Sequence, residues 1–137
     1  MADQSFFEQR LDASTWPIAA GDLVALMAFL LVGTLQHSSV EQLSADPAIY
    51  LLAAGPFIVG WLLCAPLVGA YSPGGGSAPN SSIPLAIRSW LPAAIVGLLI
   101  RQFALPDRGV EVVFAVIMLV GGALALSIWR LLYFKLR

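Results

Sequence analysis

Charge is scarce in this chain. Of 137 residues seven are Lys or Arg and eight are Asp or Glu, and they form no run of one sign. No stretch concentrates basic residues in the way phosphate binding requires, so no nucleic-acid partner is expected. Cysteine and histidine occur once each, as Cys64 and His37. A single cysteine excludes an intrachain disulfide and reads as a buried structural thiol. One histidine and one cysteine cannot make a zinc or iron–sulfur centre, so neither metal nor cofactor is expected. No Ser/His/Asp arrangement and no phosphate-binding glycine loop stands out, and the chain is not expected to be an enzyme. A basic leader is lacking too: residues 1–15 carry Asp3, Glu8 and Asp12 against Arg10, so the first apolar run is expected to be a retained helix and not a signal peptide.

What the chain has in quantity is apolar surface. It is 59% hydrophobic and 11% charged, with a mean hydropathy of +0.86, outside the range of soluble domains. The runs Leu23 to Val40, Pro47 to Ile87 and Val112 to Trp129 each meet or exceed the roughly 18 residues that a spanning helix needs. A fourth, Ile83 to Ala104, spans if Arg88 and Arg101 sit near its two ends. The expected fold is an all-α membrane protein with four transmembrane helices in a bundle, multi-pass in the cell membrane, with short loops.

Residues 1–15 form an N-terminal tail or a short interfacial helix, for which Ser5-Phe6-Phe7-Glu8 offers a capping box. Residues 16–134 form the transmembrane domain, with helices at about 16–37, 48–70, 83–104 and 110–134. Thr15 is placed to cap the first, with Pro17 in its first turn. Ser38 to Pro47 is a polar connection. Pro56 and Pro66 predict a kink in the second helix. Tyr71 to Ser82, rich in Gly, Ser and Pro, reads as a flexible loop whose last residue caps the third helix. Pro106 to Gly109 is a tight turn in which Asp107 can cap the fourth. Arg10, Arg88, Arg130, Lys135 and Arg137 then share one side against Arg101 and Arg108 on the other, which predicts cytoplasmic termini.

One acid stands inside the first helix. A carboxylate at that depth costs about 3 kcal/mol on insertion scales and so faces a partner, a protein interior or water. Asp22 lies roughly 9 Å from the cytoplasmic end of its helix, and Arg130 roughly 6 Å from the same end of the fourth. Arg88 lies at a similar depth, which gives Asp22 two candidate partners. Arg101 lies near the outer end with Gln36, His37 and Gln102, so two polar layers emerge. Asp22, Phe29, Gly33 and Gln36 share a stripe expected to face the other helices, with Ala25 and His37 beside it. Trp90, Gly97 and Arg101 share a face of the third helix, which turns Arg101 inward. Asp22 is either a proton- or substrate-handling carboxylate, with His37 a titratable or ligand group, or half of a structural ion pair, with His37 a loop-end residue. Arg88 and Arg130 either join that interior or snorkel to headgroups.

In order along the chain stand Gly21-Asp22 with Phe29, Gly33 and His37; Pro56-Phe57 with Gly60-Trp61; Trp90 with Gly97 and Arg101; and Trp129-Arg130. This series resembles an uncharacterised domain-of-unknown-function family of small four-helix bacterial and archaeal membrane proteins, over about Trp16 to Leu132. The family often carries basic residues where this chain has Thr34-Leu35-Gln36. The resemblance implies the four-helix architecture, adds weight to Asp22, His37, Trp61, Arg101 and Arg130, and supplies no reaction. The first function expected is a small transporter or permeation protein with a buried Asp/Arg interior. Its alternative is a non-catalytic membrane subunit or a lipid- or pigment-binding module. Partners are the lipid bilayer, with room for a homodimer or larger membrane complex.

Overall fold

The computed structural model describes residues 11–36, 39–104 and 112–136. The Ser5–Glu8 capping box, His37 and the Asp107 cap fall outside them. A single turn, Ala13–Thr15, leads into α1 (Trp16–Leu35). There follow the short α2 (Val40–Ala45), the long α3 (Ala48–Val68), the short α4 (Pro73–Ser77), α5 (Pro79–Phe103) and α6 (Val112–Leu136). Among the described residues there is no strand, and α1, α3, α5 and α6 are long and apolar enough to cross a membrane.

These four helices form a ring in which each neighbour pair is antiparallel. Ile18 near the start of α1 meets Trp129 near the end of α6, and Met27 of α1 meets Tyr50 at the start of α3. Gly60 of α3 meets Ala93 of α5, and Trp90 of α5 meets Met118 of α6. The most extensive seam is α3 against α5. Gly60 makes it possible, because a Cβ there would overlap the Ala93 carbonyl. Alanines fill much of the interior, at 54, 65, 86, 93 and 94, around the larger Phe57, Trp61 and Trp90. Leucine, valine and isoleucine cover the outside, as at Val24, Leu62, Leu63, Ile95, Leu99, Val120 and Leu124. Lipid solvates aliphatic chains as well as a protein interior does, so close backbone approach and polar contacts, not apolar sequestration, set the inner face.

The stretch expected as a flexible loop is instead folded back on the bundle. Gly69 ends α3 in the left-handed region, φ 105°, a conformation that glycine adopts without strain. The chain then turns into α4, whose Gly75 lies against the Ala70 carbonyl with no room for a Cβ. Proline in the first turn starts both α4 and α5. Helix α5 thus begins at Pro79 rather than Ile83, and Ser82 lies buried inside it instead of capping it. Thr15 does not cap α1 with its side chain. Its hydroxyl donates to the Asp12 carbonyl at 2.6 Å, while Asp12 accepts from the Ser14 N–H at 3.0 Å and its own N–H donates to the Tyr71 carbonyl at 2.7 Å. The connection after α1 contains a helical turn, α2, closed by a capping box in which Ser39 and Gln42 bond reciprocally. Helix α3 continues through Pro56 and Pro66, and α5 through Pro84 and Pro92.

Candidate functional site

Two polar regions lie at opposite ends of the ring. At the end where α1 begins, Asp22 and Arg130 form a fork-on-fork pair, both side chains 0% exposed. Arg130 donates from Nε to Asp22 Oδ1 at 3.2 Å and from Nη2 to Oδ2 at 2.6 Å. Its Nη1 reaches across to α5 and the end of α3, donating to the Ser82 carbonyl at 3.1 Å, Ser82 Oγ at 3.0 Å and the Ala70 carbonyl at 3.3 Å. Tyr71 donates its hydroxyl to Asp22 Oδ2 at 2.8 Å and accepts the Trp61 indole N–H at 2.7 Å. Every group facing the carboxylate is a donor, which suits its ionised, acceptor-only form. Burial first, and then the adjacent Asp22 charge, push the Tyr71 phenol far above its ordinary value, so it remains a donor. Among the described residues no buried side-chain nitrogen or oxygen lacks a partner.

The neighbours of this pair hold it in place. Gly21 leaves the space in which the Trp129 indole lies, and the indole N–H donates to the Ile18 carbonyl at 3.2 Å. The dipeptides Gly21-Asp22 and Trp129-Arg130 thus engage each other residue for residue, one by shape and one by charge. Beyond its own two helices the pair is bonded to Ser82 of α5 and to Ala70 and Tyr71 in the segment just after α3. A carboxylate that loads and releases protons here would have to break these bonds.

Arg88 is not part of this cluster. It occupies an exposed position on α5, and the described partners of Asp22 are Arg130 and Tyr71. Of the buried aromatics, Trp90 donates its indole N–H to the Met118 and Leu119 carbonyls at 3.0 and 3.2 Å, over the bare surface of Gly122. Gly97 receives the Phe57 ring in the same way. Phe57 lies 6.2 Å from both Trp90 and Phe114, centroid to centroid.

At the opposite end the helices part around a cleft of about 390 Å³. Its walls come from α1 (Phe29, Leu30, Gly33, Thr34 and Gln36 just beyond), α3 (Ile49, Ala53, Phe57), α5 (Arg101) and α6 (Phe114, Ile117, Met118). The stripe of α1 expected to pack on other helices divides here. Asp22 is locked in the bundle and the Phe29 ring lies on Gly121 of α6, whereas Gly33 and Gln36 are exposed; Phe29, Gly33 and Gln36 all line the cleft. The buried line of α1 is Ile18, Asp22, Leu26, Leu30 and Thr34, a four-residue ridge. Arg101 stacks on the Phe114 ring, its guanidinium carbon 4.3 Å from the centroid.

Tyr71, Ser82 and Phe114 belong to these sites without having been marked as site residues from the sequence, where Trp129 stood only beside Arg130 in the series that carries the resemblance. Tyr71 and Ser82 stood at the two ends of a stretch that reads as a flexible loop, Ser82 as a helix cap. For Trp129 the glycine beside Asp22 was the available signal.

A family model described as protein of unknown function (DUF3054) matches residues 19–133. No curated protein and no solved structure matches.

Proposed function

The chain belongs to the DUF3054 family, proteins of unknown function, and we propose that it is a membrane-embedded binding module for an apolar, lipid-phase ligand. The observation that carries this reading is the cleft between α1, α3, α5 and α6, whose lining is mostly apolar with a few polar groups toward one end. That is the general make-up of a small-molecule site, and about 390 Å³ falls within the usual range. The other reading, a small transporter or permeation protein working through Asp22, finds less support. Asp22 is bonded by Arg130 and Tyr71 and is not among the cleft residues. On this view the ion pair holds the helices in register at one end so that they can stand apart at the other.

Gly33 provides the test. It lines the cleft and a Cβ placed there meets nothing within 4 Å, so a side chain at this position starts in open space, and Gly33→Leu is chosen to occupy the cleft. Extraction of the protein from native membranes, followed by mass spectrometry of bound small molecules, should show a species enriched over bulk lipid in the wild type and depleted in Gly33→Leu at equal thermal stability. Equal enrichment in both proteins, or none in either, would overturn the proposal. So would ion-coupled flux in liposomes that Asp22→Asn abolishes while leaving the fold intact.

A further inference from the structure

We infer that the outer face of α5 docks a transmembrane helix of another membrane protein that carries an aspartate or glutamate within its span, and that Arg88 is the residue this acid meets. The inference does not depend on the cleft, since no residue of this face lines it. At intervals of three and four, Pro84, Arg88, Leu91, Ile95 and Leu99 form one exposed stripe along α5. The others are apolar, as a surface against lipid or another helix requires. Arg88 is the exception, and among the described residues none accepts a hydrogen bond from it or pairs with its charge.

Depth makes that position costly. Arg88 stands about 14 Å along α5 from its first residue and about 22 Å from its last. It lies about 9 Å beyond Ser82, which shares Arg130 with Asp22, and Asp22 is itself about 9 Å inside α1. Trp90, on the next turn, lies over Gly122 near the midpoint of α6. Arg88 thus stands close to the middle of a hydrocarbon layer about 30 Å thick. An arginine at that depth is strongly disfavoured unless it is paired. Its three methylenes shorten the path to the lipid phosphates without spanning it. A carboxylate on a neighbouring helix can stand at any depth, and it matches the guanidinium fork. A second copy of this chain does not supply that carboxylate. Of the eight acids, Asp22 is the one that falls within α1, α3, α5 or α6, and it is buried against Arg130 and Tyr71. Two copies meeting on this face about a two-fold axis would bring their Arg88 side chains to one depth, like charge against like. The partner is therefore a different chain, selected for an acidic span over a neutral or basic one.

The probe is a synthetic leucine-rich transmembrane peptide of about 20 residues with one aspartate at its midpoint, alongside the same peptide with asparagine there. The full chain, carrying an acceptor dye on Ser77→Cys in a Cys64→Ala background, would be reconstituted in phosphatidylcholine liposomes at mildly alkaline pH. Energy transfer from the donor-labelled peptide then reads binding. The parent chain should bind the aspartate peptide about tenfold more tightly than the asparagine one, the size of one charge-assisted contact. Arg88→Leu should erase that difference, and Arg88→Lys should keep part of it. Thermal unfolding of Arg88→Leu should match or exceed that of the parent, because no described residue pairs with Arg88. Phosphatidylglycerol added to the liposomes should leave the preference in place. Equal binding of the two peptides, binding of neither, or a preference that survives Arg88→Leu would overturn the inference. So would a preference abolished by phosphatidylglycerol, which would give Arg88 to lipid phosphates, or a destabilised Arg88→Leu, which would give it a role inside the chain. Energy transfer between copies of the chain that Arg88→Leu removes would overturn it too, by giving the face to a second copy.

Discussion

The Trp129 indole occupies the volume that a side chain on Gly21 would need, one residue along each helix from the buried Asp22–Arg130 pair. A helix seam thereby couples a shape constraint to a charge constraint. Neither element alone fixes the rotation of α1 against α6. Together they leave one register in which the indole finds its space, its N–H finds the Ile18 carbonyl and the guanidinium finds the carboxylate.

Gly21→Ala should therefore cost about 1–3 kcal/mol, the range for forcing an extra methyl into a packed interior. Gly33→Ala, whose added Cβ meets open space, should be close to neutral. Thermal unfolding in detergent compares the two. Pairing Gly21→Ala with Trp129→Leu should recover part of the loss, since the smaller side chain vacates the contested volume. Equal stability of the two alanine variants would remove the steric role given to Gly21.

The Tyr71 hydroxyl bridges Trp61 to Asp22, so Tyr71→Phe orphans the indole N–H and withdraws one donor from the carboxylate. A loss of about 1–3 kcal/mol is expected, the cost of an unsatisfied buried group. The pH dependence has a definite sign. The folded-state pKa of Tyr71 is raised, so its contribution is complete below the unfolded value of about 10 and is lost as pH rises through the folded value. Spectrophotometric titration should accordingly show one phenol in the wild type that ionises only as the protein unfolds, and Tyr71→Phe should lack it. A wild type whose phenols all ionise at ordinary pH while the fold persists would contradict this.

Much of this architecture was legible in the chain. The apolar runs marked the spans, and depth along α1 and α6 brought Asp22 and Arg130 to one level. What depth could not choose was Arg88 or Arg130 as the partner, because that depends on which face of α5 turns inward. Faces were hard to read for a physical reason. In a bilayer the inside is small or polar and the outside aliphatic, so hydropathy scarcely changes around a helix, and Ala86 or Ala93 inside looks no different from Leu91 or Leu99 outside. The segment from Tyr71 to Ser82 was misread because its composition speaks for flexibility. Partners distant in sequence hold it, Asp22 and Asp12 at Tyr71 and Arg130 at Ser82. The cleft has no local signature: a glycine on α1, an alanine on α3 and aromatic rings on α1, α3 and α6 surround it.

Sidedness rests on basic residues, with Arg10, Arg88, Arg130, Lys135 and Arg137 outnumbering Arg101 and Arg108. Burial of Arg130 in the ion pair leaves four against two, and cytoplasmic termini remain the expectation. Ser77 at the end of α4 is exposed and lies at the same end of the ring as Asp22. In a Cys64→Ala background, Ser77→Cys should resist an impermeant thiol reagent in intact cells and react once the membrane is permeabilised. Labelling in intact cells would reverse the topology.

The Asp22 carboxylate separates a structural role from a proton-handling one. Removing one member of a buried pair leaves the other charged and uncompensated, at a cost of about 3–5 kcal/mol. Asp22→Asn should thus lower the unfolding temperature markedly, although asparagine is nearly isosteric and still accepts hydrogen bonds through its carbonyl. Asp22→Asn combined with Arg130→Gln removes both charges and should regain much of the loss. Ligand binding in the distant cleft should follow stability across the series, falling in the single variant and returning in the double. If Asp22 instead loads and releases protons, the single variant keeps its stability and loses the pH dependence of binding or flux, and neutralising Arg130 restores neither. Thermal unfolding and pH-dependent binding on the same three proteins distinguish the two, and a stable Asn variant without pH dependence would transfer the function from the cleft to the carboxylate.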